Sequence, residues 1–301
     1  MFSLAKLLGA DQRRDLHRLQ WFARNVVEGL QAGTHRSRHT GHSVEFKEHR
    51  PYVRGDETRS IDWKLFGKTD RLYIRQYEDE TNLRCTLLLD QSGSMRYSGF
   101  GATRGESKHD FAVKLAACLA YLLISQQDAV GLATFDTQLR EFLPARSRPK
   151  HLNALLDTMG KIPCAGDTDL AGVIGQIAPK IRRRGLVILL SDCFSPVSPL
   201  LQALARVRHA HNEVIVFQIW HPDELSFPFT ARTQFQSLES DSERKLDPQQ
   251  VRRLYLENLA RFREELTQGC AARRLTLWPC TTDQSHSHVL STFIAQRGRG
   301  R

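Results

Sequence analysis

The 301 residues are 41% hydrophobic, enough to bury a sizeable core in one large or two smaller domains. No run approaches the roughly 18 apolar residues of a membrane span, and the segment Met1 to Ala10 is too short and too weakly apolar for a signal peptide, so a cytoplasmic protein is expected. The net charge of +10 is dispersed over clusters such as Arg182-Arg183-Arg184, Arg252-Arg253 and Arg273-Arg274. No nucleic-acid-binding motif accompanies them, which favours a solvated basic face or a surface for an acidic partner protein over groove reading.

In chain order, Leu16, Leu19, Phe22, Ala23, Val26, Val27 and Leu30 recur at helical spacing. A basic loop with His35, His39, His42 and His49 follows, without metal-site spacing. Residues 41–83 hold the block Gly55-Asp56-Glu57-Thr58-Arg59-Ser60-Ile61-Asp62-Trp63 and a strand-like run, Leu72 to Tyr77. Gly55-Asp56 suits a tight turn. Arg54, Asp56, Arg59 and Asp62 offer paired charges, with Tyr52 and Trp63 as expected anchors of the loop.

From residue 84 strands and helices alternate, which predicts a doubly wound, mostly parallel α/β sheet. Strands are expected over 85–90, 129–135, 186–191, 213–220 and 274–280, with 138–143 returning as an antiparallel edge strand after the Asp136-Thr137 turn. Helices are expected over 108–126, 149–160, 170–182, 198–210, 249–268 and 286–296, with Arg182 to Arg184 closing one of them. Phe111, Leu115, Cys118, Leu119 and Leu122 form the inward stripe of the first. Residues 224–248 interrupt the alternation and read as a β-hairpin packing on the 41–83 region. The expected domains are therefore 1–83 and 84–301.

The six cysteines form no Cys-x-x-Cys pair. Cys85 and Cys118 read as buried free thiols, and for Cys193, directly after Asp192, an exposed and reactive thiol is weighed but set well below a plain one.

The most informative stretch is Asp90-Gln91-Ser92-Gly93-Ser94, which follows the apolar run Cys85 to Leu89. It delivers one carboxylate and two hydroxyls from a single loop, and hard oxygens suit Mg²⁺ or Mn²⁺ rather than zinc. Thr168, in Gly166-Asp167-Thr168-Asp169-Leu170, and Asp192, at the end of a second buried run, add oxygens where an open parallel sheet collects ligands. The plainer alternative is that Ser92 and Ser94 cap the next helix and Asp90 only ends a strand.

This constellation resembles the metal-ion-dependent adhesion site of von Willebrand factor A-type domains. The resemblance implies that Asp90, Ser92, Ser94, Thr168 and Asp192 hold one divalent cation, the aspartates partly through water. The upstream block, with Gly41 to Phe46, Arg71 to Arg75 and Glu78 to Thr81, is similar to the "domain of unknown function 58" family. That family carries an A-type domain and is commonly encoded beside MoxR-type AAA+ ATPases. Membership implies a non-enzymatic binding module that serves as adaptor or chaperone-like partner of such an ATPase. A client protein would complete the metal site with an acidic side chain.

Two common enzyme signatures are absent from the sequence. There is no Gly-x-x-x-x-Gly-Lys-[Ser/Thr] loop and no Gly-x-Ser-x-Gly elbow. The alternatives are a Mg²⁺- or Mn²⁺-dependent phosphoester hydrolase, for which Asp167 or Asp169 is the candidate further carboxylate, and a basic nucleic-acid-binding adaptor. Asp169 reads equally well as a helix cap.

Overall fold

The structure, a computed structural model, describes residues 19, 21–28, 46–53, 61–77, 83–161, 169–181, 184–229, 233–236, 243–246 and 248–299. The chain divides into two compact units, Arg36–Asn82 and the remainder. Thr168, the loop 54–60 with Arg54, Asp56 and Arg59, and Cys164 lie outside the described residues.

The larger unit is built on a six-stranded sheet. Its strands are β3 (Arg84–Asp90), β4 (Ala129–Phe135), β5 (Leu139–Arg146), β6 (Leu186–Ser191), β7 (Glu213–Trp220) and β10 (Thr276–Thr281). Their spatial order is β10-β7-β6-β3-β4-β5. Every pairing is parallel except β4 with β5. This is the doubly wound, mostly parallel arrangement, antiparallel edge strand included, that the sequence predicts. The central strands read as unbroken apolar runs because both faces are covered, the usual condition of parallel sheets.

Alternate residues feed two cores. Leu87, Leu89, Leu132 and Ile188 face helices α3 (Lys108–Ser125), α4 (Pro149–Lys161) and α9 (His286–Arg299). Leu88, Phe135, Val187 and Leu189 face α5 (Leu170–Ile177), α6 (Val197–His209) and α8 (Pro248–Ala272). Each such fully buried leucine stabilises the fold by about 1.5–3 kcal/mol. The described part of the N-terminal helix, α1 (residues 21–28), sends Ala23 and Val27 into the first core. The boundary near residue 83 thus separates the sheet from the segment before it, while α1 belongs with the sheet.

After β3 the chain runs outward to β4 and β5, then returns to the other side of β3 as β6. The carboxyl ends of β3 and β6 therefore form the switch point of the sheet, where open α/β folds bind ligands. Asp90 is the last residue of β3, and Asp192 directly follows β6.

Three expectations change here. Helix α5 stops at Ile177 and passes into a 3-10 turn, Ala178–Lys180, because Pro179 has no N–H to continue the α ladder. Arg184 lies beyond it with φ 61° rather than closing the helix. The interruption after β7 is not wholly β, since α7 (Pro222–Ser226) opens with proline and two acids before β8 (Thr233–Gln236) and β9 (Glu243–Leu246) pair antiparallel. Cys193 is fully buried.

In the smaller unit, β1 (Phe46–Pro51) pairs antiparallel with β2 (Tyr73–Tyr77), and Ile61 bridges to Ile74. Asp62 caps α2 (Trp63–Thr69) by accepting from the N–H groups of Lys64 and Leu65, both at 3.0 Å. Trp63 is 62% exposed and touches Phe66 edge-on. It is not the buried anchor that the sequence predicts.

Candidate metal centre

The Asp90 side chain is fully buried. Its Oδ1 accepts from the Ser92 N–H at 2.9 Å, and its Oδ2 accepts from the Ser191 hydroxyl at 2.5 Å. The Gln91 N–H donates to the Phe135 carbonyl at 2.7 Å, which pins the loop to the neighbouring strand end. Loss of hydration, and then the charge of Asp192, push the Asp90 carboxyl up to about 7. Hydrogen bonds from Ser191 and Ser92 oppose that shift.

Ser92 precedes a 3-10 turn, Gly93–Arg96, and its side chain makes no capping hydrogen bond. Helix α3 is capped instead by Ser107, which accepts from the Asp110 N–H at 3.0 Å. The serines are therefore not spent on a helix terminus. Their hydroxyls lie 3.1 Å apart. Two adjacent ligands of an octahedral ion with bonds of about 2.1 Å stand about 3 Å apart, so the pair fits one edge of such an octahedron.

Asp192 accepts from the Phe194 N–H through Oδ1 at 3.0 Å and from Lys108 Nζ through Oδ2 at 2.8 Å. Lys108 is fully buried and also donates to Glu224 Oε1 at 2.6 Å. Burial pulls the lysine pKa down, and the two carboxylates more than offset this and hold it above its ordinary value. Burial raises Glu224, and Lys108 opposes that.

Asp90, Ser92, Ser94 and Asp192 thus gather at the switch point. Thr168, the fifth expected ligand, lies outside the described residues. Asp169 is the N-cap of α5 and accepts from the Gly172 N–H at 3.0 Å. Among the described residues no group of three or more His, Cys, Asp or Glu side chains is arranged to hold a metal. The donor set is one of hydroxyls and carboxylates, which fits a hard Mg²⁺ or Mn²⁺ ion and not zinc.

A second ring of residues escaped the sequence reading. Asp223, nearly fully buried, accepts through Oδ2 from the Tyr97 hydroxyl at 2.9 Å, the Phe100 N–H at 3.1 Å and the Thr103 hydroxyl at 2.8 Å. These bonds organise the loop between the Asp-x-Ser-x-Ser segment and α3. Gly99 in that loop has φ +94°, and an added Cβ would run into the Thr103 carbonyl. The Phe194 ring lies 5.0 Å from Lys108 Nζ and stacks edge-on against Trp220. Lys108 had a legible signal. It shares the buried stripe of α3 with Phe111 and Leu115, and a cation at the first turn of a helix opposes the dipole. A lysine so placed calls for buried carboxylates.

Residues 48–265 match the family described as "Protein of unknown function DUF58". The chain belongs to this family. The DUF58 match runs from β1 into α8 and includes Asp90, Ser92, Ser94, Lys108, Asp192 and Glu224. The uncharacterized protein Rv1480 of Mycobacterium tuberculosis is 28% identical over 299 residues, spanning 95% of this chain and 89% of that one. The chain is also similar to the crystal structure of BatB from Bacteroides thetaiotaomicron, with 14% identity and a TM-score of 0.46 over 72% of this chain and 99% of that one. Against the SpRpn10 VWA domain the identity is 12% and the TM-score 0.40, over 70% of this chain and 94% of that one. No helix among the described residues is long and apolar enough to cross a membrane.

Proposed function

We propose that this protein is a non-enzymatic, metal-dependent protein-binding module that works in the cytoplasm as an adaptor or chaperone-like partner of a MoxR-type AAA+ ATPase. The observation that carries the reading is the Ser92 and Ser94 hydroxyl pair, 3.1 Å apart beside the buried Asp90 at the switch point. A bound Mg²⁺ or Mn²⁺ would supply an electrophilic coordination position. Asp90, Ser92 and Ser94 would hold the ion, with Asp192 and Thr168 completing the set.

The hydroxyls bring no charge, and Asp192 is already paired with Lys108. The ion is left incompletely neutralised and suited to a carboxylate from a partner protein. Mg²⁺ takes six oxygens, so a partner Asp or Glu has a position to fill by displacing water. The dispersed basic surface would speed that encounter and be screened by salt. A hydrolase reading gains nothing from Asp169, whose carboxylate is engaged as a helix cap.

The test is surface binding to a MoxR-type AAA+ ATPase from the same organism, with Mg²⁺, with chelator, and with the Ser92→Ala/Ser94→Ala protein. Binding with Mg²⁺ alone, lost in the other two arms, supports the proposal. Binding that survives both would refute metal dependence.

A further inference from the structure

Among the described residues, Asp192 is the one of the two carboxylates at the centre that is bonded to a buried cation. Asp90 accepts from neutral donors, the Ser92 N–H and the Ser191 hydroxyl. Asp192 has one oxygen on the Phe194 N–H at 3.0 Å and the other on the Lys108 ammonium at 2.8 Å. To become a direct ligand through Oδ2, Asp192 would have to bring a divalent ion against that ammonium, inside a site where water screens neither charge.

The ammonium is not free to withdraw. The Lys108 side chain is fully buried, sits at the first position of α3 and is held on its far side by Glu224 Oε1 at 2.6 Å. Glu224 is itself fixed, its Oε2 accepting from the His221 N–H at 2.8 Å and its backbone carbonyl from the Tyr255 hydroxyl at 2.9 Å. A chain of contacts therefore runs from Asp192 through Lys108 to α7 and α8.

We infer that Lys108 is a positioning residue that keeps Asp192 Oδ2 from direct coordination, and that Glu224 sets how firmly it does so. The inference rests on the metal centre proposed above. Lys108 thereby lowers the affinity of the site for its ion and keeps the bound ion short of negative charge, the condition under which an incoming carboxylate binds best. Glu224 draws the ammonium partly away from Asp192. Removing the charge on Glu224 commits Lys108 wholly to Asp192 and weakens ion binding further.

The test is calorimetric titration of Mn²⁺ into the wild type, Asp90→Ala, Lys108→Met and Glu224→Gln, with melting curves at each Mn²⁺ concentration. Outer partners of metal ligands typically change affinity about 10–100-fold. Lys108→Met should therefore bind Mn²⁺ at least about tenfold tighter than wild type, and Mn²⁺ should raise its melting temperature more. Glu224→Gln should bind more weakly. A merely structural lysine would give losses in both variants rather than opposite signs. If Lys108→Met is too unstable without metal, the double variant Lys108→Met/Glu224→Gln should still bind more tightly than Glu224→Gln alone. Wild-type binding that is lost in Asp90→Ala, with Lys108→Met and the double variant no tighter than their references, overturns the inference and leaves the metal centre standing. No Mn²⁺ binding by any of the proteins overturns both.

Discussion

The Tyr97 hydroxyl donates to Asp223 Oδ2 at 2.9 Å and joins the loop after the Asp-x-Ser-x-Ser segment to the short helix after β7. Phe100 and Thr103 donate to the same oxygen. One buried carboxylate thus fixes the approach to the candidate metal centre from beyond a strand two places away in the sheet.

Asp223→Ala should therefore cost about 2–4 kcal/mol, less than three hydrogen bonds to a charged group at about 1.5–3 kcal/mol each, because the half-buried Tyr97 and the exposed Phe100 and Thr103 regain water. Urea unfolding of the purified variant checks the magnitude. Limited proteolysis should show cleavage appearing within residues 97–105. A variant as stable and as protected as wild type would show that the loop holds itself.

Trp63→Ala should change stability by only about 0.5 kcal/mol, the usual range for an exposed side chain. The indole is 62% exposed. A drop of several kcal/mol in the same urea experiment would mean that the ring is covered in solution.

His286 links stability to pH. Its ring packs against Phe111 and Phe22, with Nε2 at 3.3 Å from the Phe111 carbonyl. Burial lowers its pKa below the ordinary 6.5. Below that pH the unfolded chain takes up a proton that the folded protein refuses. Its contribution is present above 6.5 and is lost as pH falls through the lowered value. The contribution of this residue to the urea midpoint should shrink from pH 7.5 to pH 5.5, so the wild type should lose more, or gain less, over that interval than His286→Gln. An identical pH slope in the two proteins would contradict the assignment.

The sheet was legible because the central strands are unbroken apolar runs and the helices carry clear stripes, so Arg84–Asp90 and Leu186–Ser191 were placed to within a residue. The placing of Asp90, Ser92, Ser94 and Asp192 at the carboxyl ends of β3 and β6 was legible too, since a strand end and a short motif fix it locally. What escaped depends on long-range pairing. Lys108 and Glu224 are 116 residues apart, and Asp223 meets Tyr97 across 126. No local pattern links such pairs. Only the cation on the apolar stripe of α3 and the Pro-Asp-Glu start of α7 hinted at them. Cys193 is fully buried although it directly follows Asp192, so a place beside a candidate ligand does not bring solvent access. Its backbone turns inward instead, at φ 62°, and burial, then the charges of Asp192 and Asp90, hold its thiol well above the ordinary range.

The most direct test of the account is a calorimetric titration of Mg²⁺ into the wild type and Asp90→Ala, with Zn²⁺ as control. One Mg²⁺ per wild-type chain is expected, none in the variant, and no specific Zn²⁺ binding, because every proposed ligand is oxygen. Equal Mg²⁺ binding by the two proteins would contradict it.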